Sequence, residues 1–145
     1  MSLSPDGKTV AVGRRNQGLW LRELLRDAET RFTFPLLVGG APVWSPDGSR
    51  IAFSSTGDLY RKDAAGGQEE LLLPKDDSKN PSDWSRDGRF LIYTEIDPKT
   101  RGDLWVLPNA QGKSGEPVKF LQTEFIESQA QFSPDGRWAG YVSPN

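Results

Sequence analysis

The feature that most constrains this chain is a five-residue motif that recurs four times. A period near 40 residues with strand-like content is typical of β-propeller blades. Helical repeats of that length would need apolar residues at i, i+3 and i+4, and would not tolerate the 15 Gly and 11 Pro of this chain. The aspartates of successive copies lie 41, 40 and 48 residues apart. The copies are Leu3-Ser4-Pro5-Asp6-Gly7, Trp44-Ser45-Pro46-Asp47-Gly48, Trp84-Ser85-Arg86-Asp87-Gly88 and Phe132-Ser133-Pro134-Asp135-Gly136.

Each copy of the motif predicts a tight turn between two strands. Proline presets φ at the first corner, aspartate accepts hydrogen bonds from nearby backbone N–H groups, and glycine takes the position with φ > 0. The segments after the glycines are rich in β-forming residues and apolar on both faces, so both faces need a cover. Stacking one small sheet against the next around an axis supplies that cover. These segments are 9–12, 50–53, 90–93 and 138–141.

A second recurrence completes the predicted blade. Gly18-Leu19-Trp20, Gly57-Asp58-Leu59-Tyr60 and Gly102-Asp103-Leu104-Trp105 each open a third strand. Turn-rich segments at 26–30, 64–67 and 109–115 then lead into fourth strands at 32–37, 69–73 and 118–122. We therefore predict an all-β fold without long helices, a β-propeller fragment of about three and a half four-stranded antiparallel blades. The blades span approximately 1–37, 41–73, 80–122 and, incomplete, 128–145 of a single partial propeller.

These motifs resemble a known family. The Ser-Pro-Asp-Gly turn preceded by Trp or Phe, with Gly-Asp-Leu-Trp or Tyr further on, is similar to the WD-repeat-like propeller unit of the TolB family. The same unit occurs in the propellers of prolyl-oligopeptidase-type peptidases and in arrays on some bacterial serine/threonine kinases. The resemblance covers nearly the whole chain but is specific for fold alone, because propellers host many unrelated activities. Arg86 in place of the turn proline, and Gln17 where the other blades have Asp58 and Asp103, depart from the pattern.

The composition argues against catalysis and against a polyanionic partner. The chain has no Cys and no His, so it offers no disulfide, no thiolate zinc site and no Ser-His-Asp triad. Its net charge is -2, which gives no general attraction to nucleic acid or acidic lipid. Apolar runs are too short for a membrane span. We expect no enzyme activity, no cofactor, no metal, no nucleic acid and no membrane insertion.

The conspicuous residues of the repeats have structural interpretations. Asp6, Asp47, Asp87 and Asp135 could form a carboxylate ring for a metal, but turn aspartates that bind backbone fit their context better. Trp44, Trp84 and Phe132 could stack on a ligand, although their repeated position favours core between blades. The motif serines lack a nucleophile elbow. The segment 13–18 has the glycines of a phosphate loop without its Lys-Ser/Thr, which favours a hairpin.

Topology directs the search for a binding surface to the other loops. With blade strands lettered a to d, the a–b and c–d turns lie on one face of the propeller, and the b–c and d–a connections on the opposite face. The b–c and d–a connections vary in length and chemistry, and variable loops on a rigid scaffold are where binding usually occurs. Their mixed charge suits a protein or peptide. The candidate partner-binding residues are Arg14, Arg15, Asn16, Lys75, Asp76, Lys79, Asp97, Lys99, Arg101, Glu124, Phe125 and Glu127.

The resemblance implies a non-catalytic protein-binding or peptide-binding module in a periplasmic or other extracytoplasmic location. Two alternatives stay open: the non-catalytic propeller of a larger peptidase, and a sensor array attached to a kinase. Because Met1 leads directly into a repeat, we expect an upstream region, with any export signal, in the intact protein. A partial ring leaves blade faces and strand edges uncovered, so we expect self-association near Trp138 and Tyr141.

Overall fold

The computed structural model describes residues 1–33, 38–74, 76–99, 101–122 and 127–143, with the backbone alone at 38–40. Strands account for most of the described chain, and none of these residues is helical. In chain order the first seven strands are β1 (Ser2–Leu3), β2 (Thr9–Arg14), β3 (Gly18–Glu23), β4 (Ala28–Arg31), β5 (Val38–Trp44), β6 (Arg50–Ser55) and β7 (Asp58–Asp63). The next seven are β8 (Glu70–Leu73), β9 (Ser78–Trp84), β10 (Phe90–Asp97), β11 (Arg101–Pro108), β12 (Val118–Leu121), β13 (Ser128–Phe132) and β14 (Ala139–Val142).

The strands form small antiparallel sheets in sequence order. Blade 1 is β1-β2-β3-β4, blade 2 is β5-β6-β7-β8, blade 3 is β9-β10-β11-β12, and blade 4 consists of β13-β14. The first strands of neighbouring blades lie together, β5 against β9 and β9 against β13, which places them on the inner side of the arc. The predicted fold, a propeller fragment of about three and a half blades, is confirmed.

The four motif turns share one set of hydrogen bonds. In the second turn the Ser45 hydroxyl donates to Asp47 Oδ1 at 2.6 Å and accepts the backbone N–H of Arg50 at 2.9 Å. Asp47 Oδ1 also accepts the Ser49 N–H at 3.0 Å, and Gly48 has a φ of 74°. The turn with Arg86 keeps the pattern, since Ser85 donates to Asp87 at 2.7 Å. Serine and aspartate therefore define the turn without the proline, and both have the structural roles that the sequence predicted.

The fourth strand of blade 1 lies earlier than predicted. We expected a turn at 26–30 and a strand at 32–37, whereas β4 is Ala28–Arg31. The reason is a tight connection after β3, in which Asp27 has a φ of 52° and its carboxylate pairs with Arg22. Glu29 then lies beside Arg14, with both carboxylate oxygens 2.8 Å from one guanidinium nitrogen. Residues 34–37 of the expected strand lie outside the described part of the chain.

Three apolar clusters join neighbouring blades. The cluster between blades 1 and 2 contains Leu19 and Phe53, both fully buried, and Trp44, which is 8% exposed. The cluster between blades 2 and 3 contains Trp84 and Tyr93, and the one between blades 3 and 4 contains Ile92, Leu104 and Ala130. Full burial of one such large apolar side chain contributes roughly 1.5–3 kcal/mol. The predicted core role of Trp44 and Trp84 is confirmed, and Phe132 packs against the third cluster.

Basic side chains of blade 2 hold backbone segments of both neighbours. Arg61 donates to the carbonyl oxygens of Ala110 and Gly112 in blade 3, each at 2.6 Å. Arg50 donates to the carbonyl of Gln111 in the same turn, and Lys62 donates to the carbonyl of Phe32 in blade 1. Because these bonds reach specific carbonyl oxygens, they fix the relative position of blades that apolar packing alone would hold less specifically.

We predict that Asp47→Ala lowers the free energy of unfolding by about 1 kcal/mol, because the turn loses the acceptor of Ser45 and Ser49. Urea denaturation followed by tryptophan fluorescence measures the change. Asp76→Ala, which removes an exposed carboxylate outside any motif turn, is the matched control and should leave the midpoint unchanged. Equal midpoints for the two variants would contradict the role of the turn.

The motif aspartates also predict the response of the fold to acid. Hydrogen bonds from the Ser45 and Ser85 hydroxyls, followed by those from backbone N–H groups, lower the pKa of Asp47 and of Asp87 to about 2. The same causes lower the pKa of Asp6 and of Asp135. An unfolded aspartate has a pKa of about 4, so these turns stabilise the fold fully above that pH and lose the contribution as the pH falls towards 2.

We therefore expect the melting temperature to fall steadily between about pH 4 and pH 2. Circular dichroism melts across that range measure the effect. In Asp47→Asn the slope should be shallower than in the parent chain, because the amide does not titrate. A parent chain and a variant with parallel pH profiles would show that the turn carboxylates do not set the acid response.

Candidate functional site

A cavity of about 750 Å³ opens between blades 3 and 4, on the face that receives the b–c and d–a connections. Inner strands β9 and β13 form its walls, and the ends of β10 and β11 form its rim. We call it the channel-face cavity. Its lining consists of Ala41, Asn80, Pro81, Ser82, Thr94, Ile96, Asp97, Arg101, Gly102 and residues 128–131.

The chemistry of the lining is mixed. Ile96 is 48% exposed although it is a large apolar residue, and it lies on the rim beside Asp97. Asp97 and Arg101 are directly opposite each other in the β10–β11 hairpin, so one acid and one base flank the opening. Hydroxyl and amide groups supply hydrogen-bonding positions along the walls. This combination of an apolar surface with a few polar groups is usual in ligand-binding pockets.

Two residues of the lining have an unusual backbone conformation. Arg101 has a φ of 79° and Gln129 a φ of 53°, in the left-handed region that side chains other than Asn and Gly rarely adopt. Such conformations cost free energy and persist only where the surrounding structure holds them. Because Arg101 begins β11 and Gln129 lies in β13, one of these residues is on the rim of the cavity and the other is in one of its walls.

Asp83 joins the two walls below the cavity. Its Oδ2 accepts the backbone N–H of Phe132 in β13 at 2.7 Å, and its Oδ1 accepts the N–H of Trp84 at 2.9 Å. Burial raises the pKa of this carboxyl, and the two hydrogen bonds offset only part of that effect. Asp83 therefore positions β13 against β9, in contrast to the motif aspartates, which close turns within a blade.

The sequence-predicted candidates do not form one site. Asp97 and Arg101 line the channel-face cavity, and Lys99 donates its N–H to Asp97 at 2.6 Å in the adjoining turn. Arg14, Arg15 and Asn16 belong to the β2–β3 hairpin of blade 1, away from the cavity, and Asp76 is exposed in the connection before β9. Lys75, Glu124 and Phe125 lie outside the described residues.

Two candidates are buried within the blades, which corrects their expected place on an accessible loop. Lys79 is 5% exposed, and its ammonium lies 3.2 Å from Glu95 and donates to the carbonyls of Pro74 and Asp77. Glu127 is fully buried, and its N–H donates to the carbonyl of Gly102. A buried charge needs partners inside the protein, and the Lys79 side chain has them in Glu95 and the two carbonyl oxygens, so it holds the connection before β9 in place.

Sequence reasoning missed most of the cavity wall. Ser82, Thr94 and Gln131 lie on strands, whereas the variation that pointed to binding lies in the connections. The one available signal was Ile96, an apolar residue between two acidic ones at the end of a strand.

The described residues contain no group of Asp and Glu arranged to hold a metal ion. A second cavity, of about 700 Å³ on the opposite face, is lined by Asp6, Glu23, Asp47 and Asp63. Asp6 and Asp47 are already engaged in the motif turns, and Asp63 pairs with Arg50 at 3.2 Å. We also find no helix in the described parts of the chain that is long and apolar enough to cross a membrane.

Comparison with solved structures identifies the architecture. No protein-family model and no curated protein matches the sequence. The chain is similar to TolB from Acinetobacter baumannii, with a TM-score of 0.75 and 20% identity over 97% of this chain and 36% of that one. It is similar to a putative TolB from Agrobacterium tumefaciens, with a TM-score of 0.79 and 21% identity over 99% of this chain and 53% of that one. The fold is that of the TolB β-propeller.

The TolB-like propeller fold predicted from the motifs is thus confirmed. Two further structures with related folds are enzymes by name: dihydro-heme d1 dehydrogenase NirN, with a TM-score of 0.65 at 24% identity, and Kuenenia stuttgartiensis hydrazine synthase, with a TM-score of 0.72 at 16% identity. The two alignments extend over 98% and 93% of this chain, respectively. It spans between 32% and 53% of the length of the four proteins.

We predict that Asp83→Ala loosens blade 4, because the N–H of Phe132 loses its acceptor at a partly buried position. Hydrogen exchange read by mass spectrometry should show faster exchange in segment 128–132, while the strands of blades 1 and 2 keep their protection. Glu116→Ala, an exposed carboxylate change in blade 3, is the control. Unchanged exchange in β13 would mean that apolar packing alone holds blade 4 in place.

Proposed function

We propose that the chain is a non-catalytic β-propeller scaffold that binds a protein or peptide segment at the channel-face cavity. The observation that supports this most is the cavity itself, which combines exposed Ile96 with the opposed charges of Asp97 and Arg101. At about 750 Å³ it lies within the usual range of ligand pockets, roughly 300–1,000 Å³. The cavity opens on the face that carries the b–c and d–a connections, where a binding site was expected.

The lining chemistry supports a polypeptide over a phosphate-bearing ligand. One acid and one base flank the opening, whereas phosphate recognition calls for clustered basic side chains or a helix N-terminus. Hydroxyl and amide groups, such as those of Ser82 and Gln131, can exchange hydrogen bonds with a peptide backbone. The net charge of -2 gives no general attraction to polyanions. The resemblance to TolB further leads us to propose a periplasmic or other extracytoplasmic location.

A second proposal is that the chain is the non-catalytic propeller of a larger enzyme. NirN and hydrazine synthase are enzymes whose structures contain a region similar to this chain, and the chain covers 32% and 38% of them. The peptidase and kinase-array alternatives from the sequence belong to the same class. A neighbouring hydrolase segment with Gly-x-Ser-x-Gly, or a kinase domain, in the intact protein would favour it over a free-standing binding module.

Peptide selection on the folded chain tests the binding proposal. Binders taken from a random peptide library should lose affinity at least about tenfold for Ile96→Asp and for Arg101→Glu, because the first change removes the apolar side chain of the rim and the second reverses the charge opposite Asp97. The control is Leu25→Asp, which changes an apolar residue that is 88% exposed in the β3–β4 turn. A library without binders, or binders indifferent to both cavity variants, would argue against this site.

The absence of catalysis belongs to the same proposal. The chain has no His and no Cys, and the motif serines are engaged with their turn aspartates at 2.6–2.7 Å. Hydrolysis of peptide or ester substrates that survives purification and is abolished by one serine substitution would refute it.

We also predict that the isolated chain self-associates. Trp138, which immediately precedes β14, is 73% exposed, and Tyr141 within β14 is 45% exposed. Exposed apolar side chains beside a strand edge favour association, either as two arcs facing each other or as edge-to-edge pairing. Light scattering coupled to size exclusion across a concentration series measures the mass. A monomer of 16.1 kDa at every concentration would contradict the prediction.

A further inference from the structure

Arg101 has a backbone conformation that blade 1 gives to a glycine. In blade 1 the β2–β3 hairpin joins Arg14 to its pairing partner Gly18 through three residues, and Gly18 has a φ of 83°. In blade 3 the β10–β11 hairpin joins Asp97 to Arg101 through three residues, and Arg101 has a φ of 79°. Glycine adopts this conformation without steric cost, whereas a residue with a Cβ atom is strained in it. Blade 3 therefore has an arginine where the hairpin geometry favours glycine.

The surrounding structure holds the Arg101 backbone in this conformation. Asp97 pairs with Arg101 across the hairpin, and its carboxylate accepts the N–H of Lys99 at 2.6 Å, within the connection. The carbonyl of the next residue, Gly102, accepts the N–H of Glu127 at 3.1 Å, which ties the start of β11 to the residue before β13. A strained residue that its neighbours hold in place indicates a function for its side chain.

The Arg101 guanidinium faces solvent at the rim without a carboxylate partner from the described parts of the chain. Three other arginines, Arg14, Arg50 and Arg61, each form an ion pair with a carboxylate of their own blade. A guanidinium presents a planar fork of donors that matches the two oxygens of a carboxylate. The ligand group that complements Arg101 is therefore a carboxylate.

Apolar surface lies next to this arginine in the channel-face cavity. Ile96 is opposite Gly102 in the β10–β11 hairpin, and because Gly102 has no side chain to cover it, Ile96 is 48% exposed. Ala41 and Pro81 of the inner strands continue the apolar part of the lining. A ligand can thus place an apolar side chain in the cavity while its carboxylate meets Arg101 on the rim.

We propose that Arg101 binds a carboxylate of the peptide ligand, beside an apolar residue of the same peptide that occupies the channel-face cavity. This inference rests on the proposed peptide-binding function and adds the chemical class of the ligand. The ligand is a polypeptide segment in which an apolar residue adjoins either the C-terminal carboxylate or an acidic side chain. The strained conformation of Arg101 is the conformational cost of placing a guanidinium at this point of the rim.

Fluorescein-labelled heptapeptides, selected on the folded chain from a random library, are the probes. In each peptide the C-terminal carboxylate is converted to the amide, and each Asp or Glu to Asn or Gln, one at a time, and affinity is measured by fluorescence anisotropy. We expect one of these changes to weaken binding at least about tenfold, because the charge-assisted pair with Arg101 is lost. The change that does so identifies the C-terminus or an acidic side chain as the source of the carboxylate.

This experiment separates the ligand class from the binding function. Peptides that bind, lose affinity for Ile96→Asp and are indifferent to every carboxylate change would overturn the inference and leave the peptide-binding function standing. A library without binders would contradict both.

A double-mutant cycle assigns the carboxylate to Arg101. In Arg101→Gln the same peptide change should weaken binding less than about twofold, because the partner of the carboxylate is already absent. A loss in this variant as large as in the parent chain would show that another group binds the carboxylate, and would overturn the inference.

Arg101→Gly separates binding from stability. We expect the melting temperature to rise by about 2–4 °C, because glycine relieves the strain, while the selected peptides bind at least about tenfold more weakly. A residue that served only the hairpin would not give these opposite changes. A lowered melting temperature, or an unchanged affinity, would overturn the inference.

Thr56→Gly is the matched control. Thr56 has a φ of 52° in the β6–β7 hairpin of blade 2 and does not line the channel-face cavity. Its replacement should relieve backbone strain in the same way and leave peptide affinity unchanged. An equal loss of affinity in Thr56→Gly would show that hairpin strain, and not the guanidinium, controls binding, and would overturn the inference.

Discussion

A serine hydroxyl held between a carboxylate and a backbone amide closes the first hairpin of every blade. The hydroxyl donates to the motif aspartate and accepts the N–H that opens the second strand, so it fixes the register of the first two strands. Because a slip of one residue would exchange the two faces of a strand, this register decides which side chains enter each inter-blade core. The composition of the three apolar clusters therefore depends on the polar hydrogen bonds of the motif turns.

The two faces of the molecule differ in the connections that they carry. Uniform turns occupy one face, where aspartates satisfy their own backbone and little chemistry remains for a ligand. The opposite face carries connections that the register does not constrain, and there the hairpin of β10 and β11 brings Asp97 and Arg101 to the rim of a cavity. Strands and turns provide stability, while variation is confined to loops where it costs little.

The sequence allowed the repeat, the turn chemistry and the inter-blade role of Trp44 and Trp84 to be predicted, because each depends on contacts within a few residues or on a repeated position. It did not reveal β4, since Asp27 reverses the chain earlier than Gly or Pro would suggest. It also placed Lys79 on a surface, whereas Glu95 and two carbonyl oxygens hold it inside. Asp83 resembled any other strand residue, because its partner Phe132 lies 49 residues away.

The contacts between neighbouring blades differ from one pair to the next, and this difference has a thermodynamic consequence. Arg50 and Arg61 bind blade 2 to the β11–β12 turn of blade 3. Among the described residues, blade 4 contacts blade 3 through a small apolar cluster, the carboxylate of Asp83 and the Glu127 N–H, which donates to the Gly102 carbonyl. β9 and β13 both line the channel-face cavity, so the ligand proposed for it would bind only when those strands are docked. Ligand binding and the docking of blade 4 are therefore thermodynamically linked. A ligand that binds only the docked state stabilises that state, and a change that favours docking strengthens binding by the same free energy.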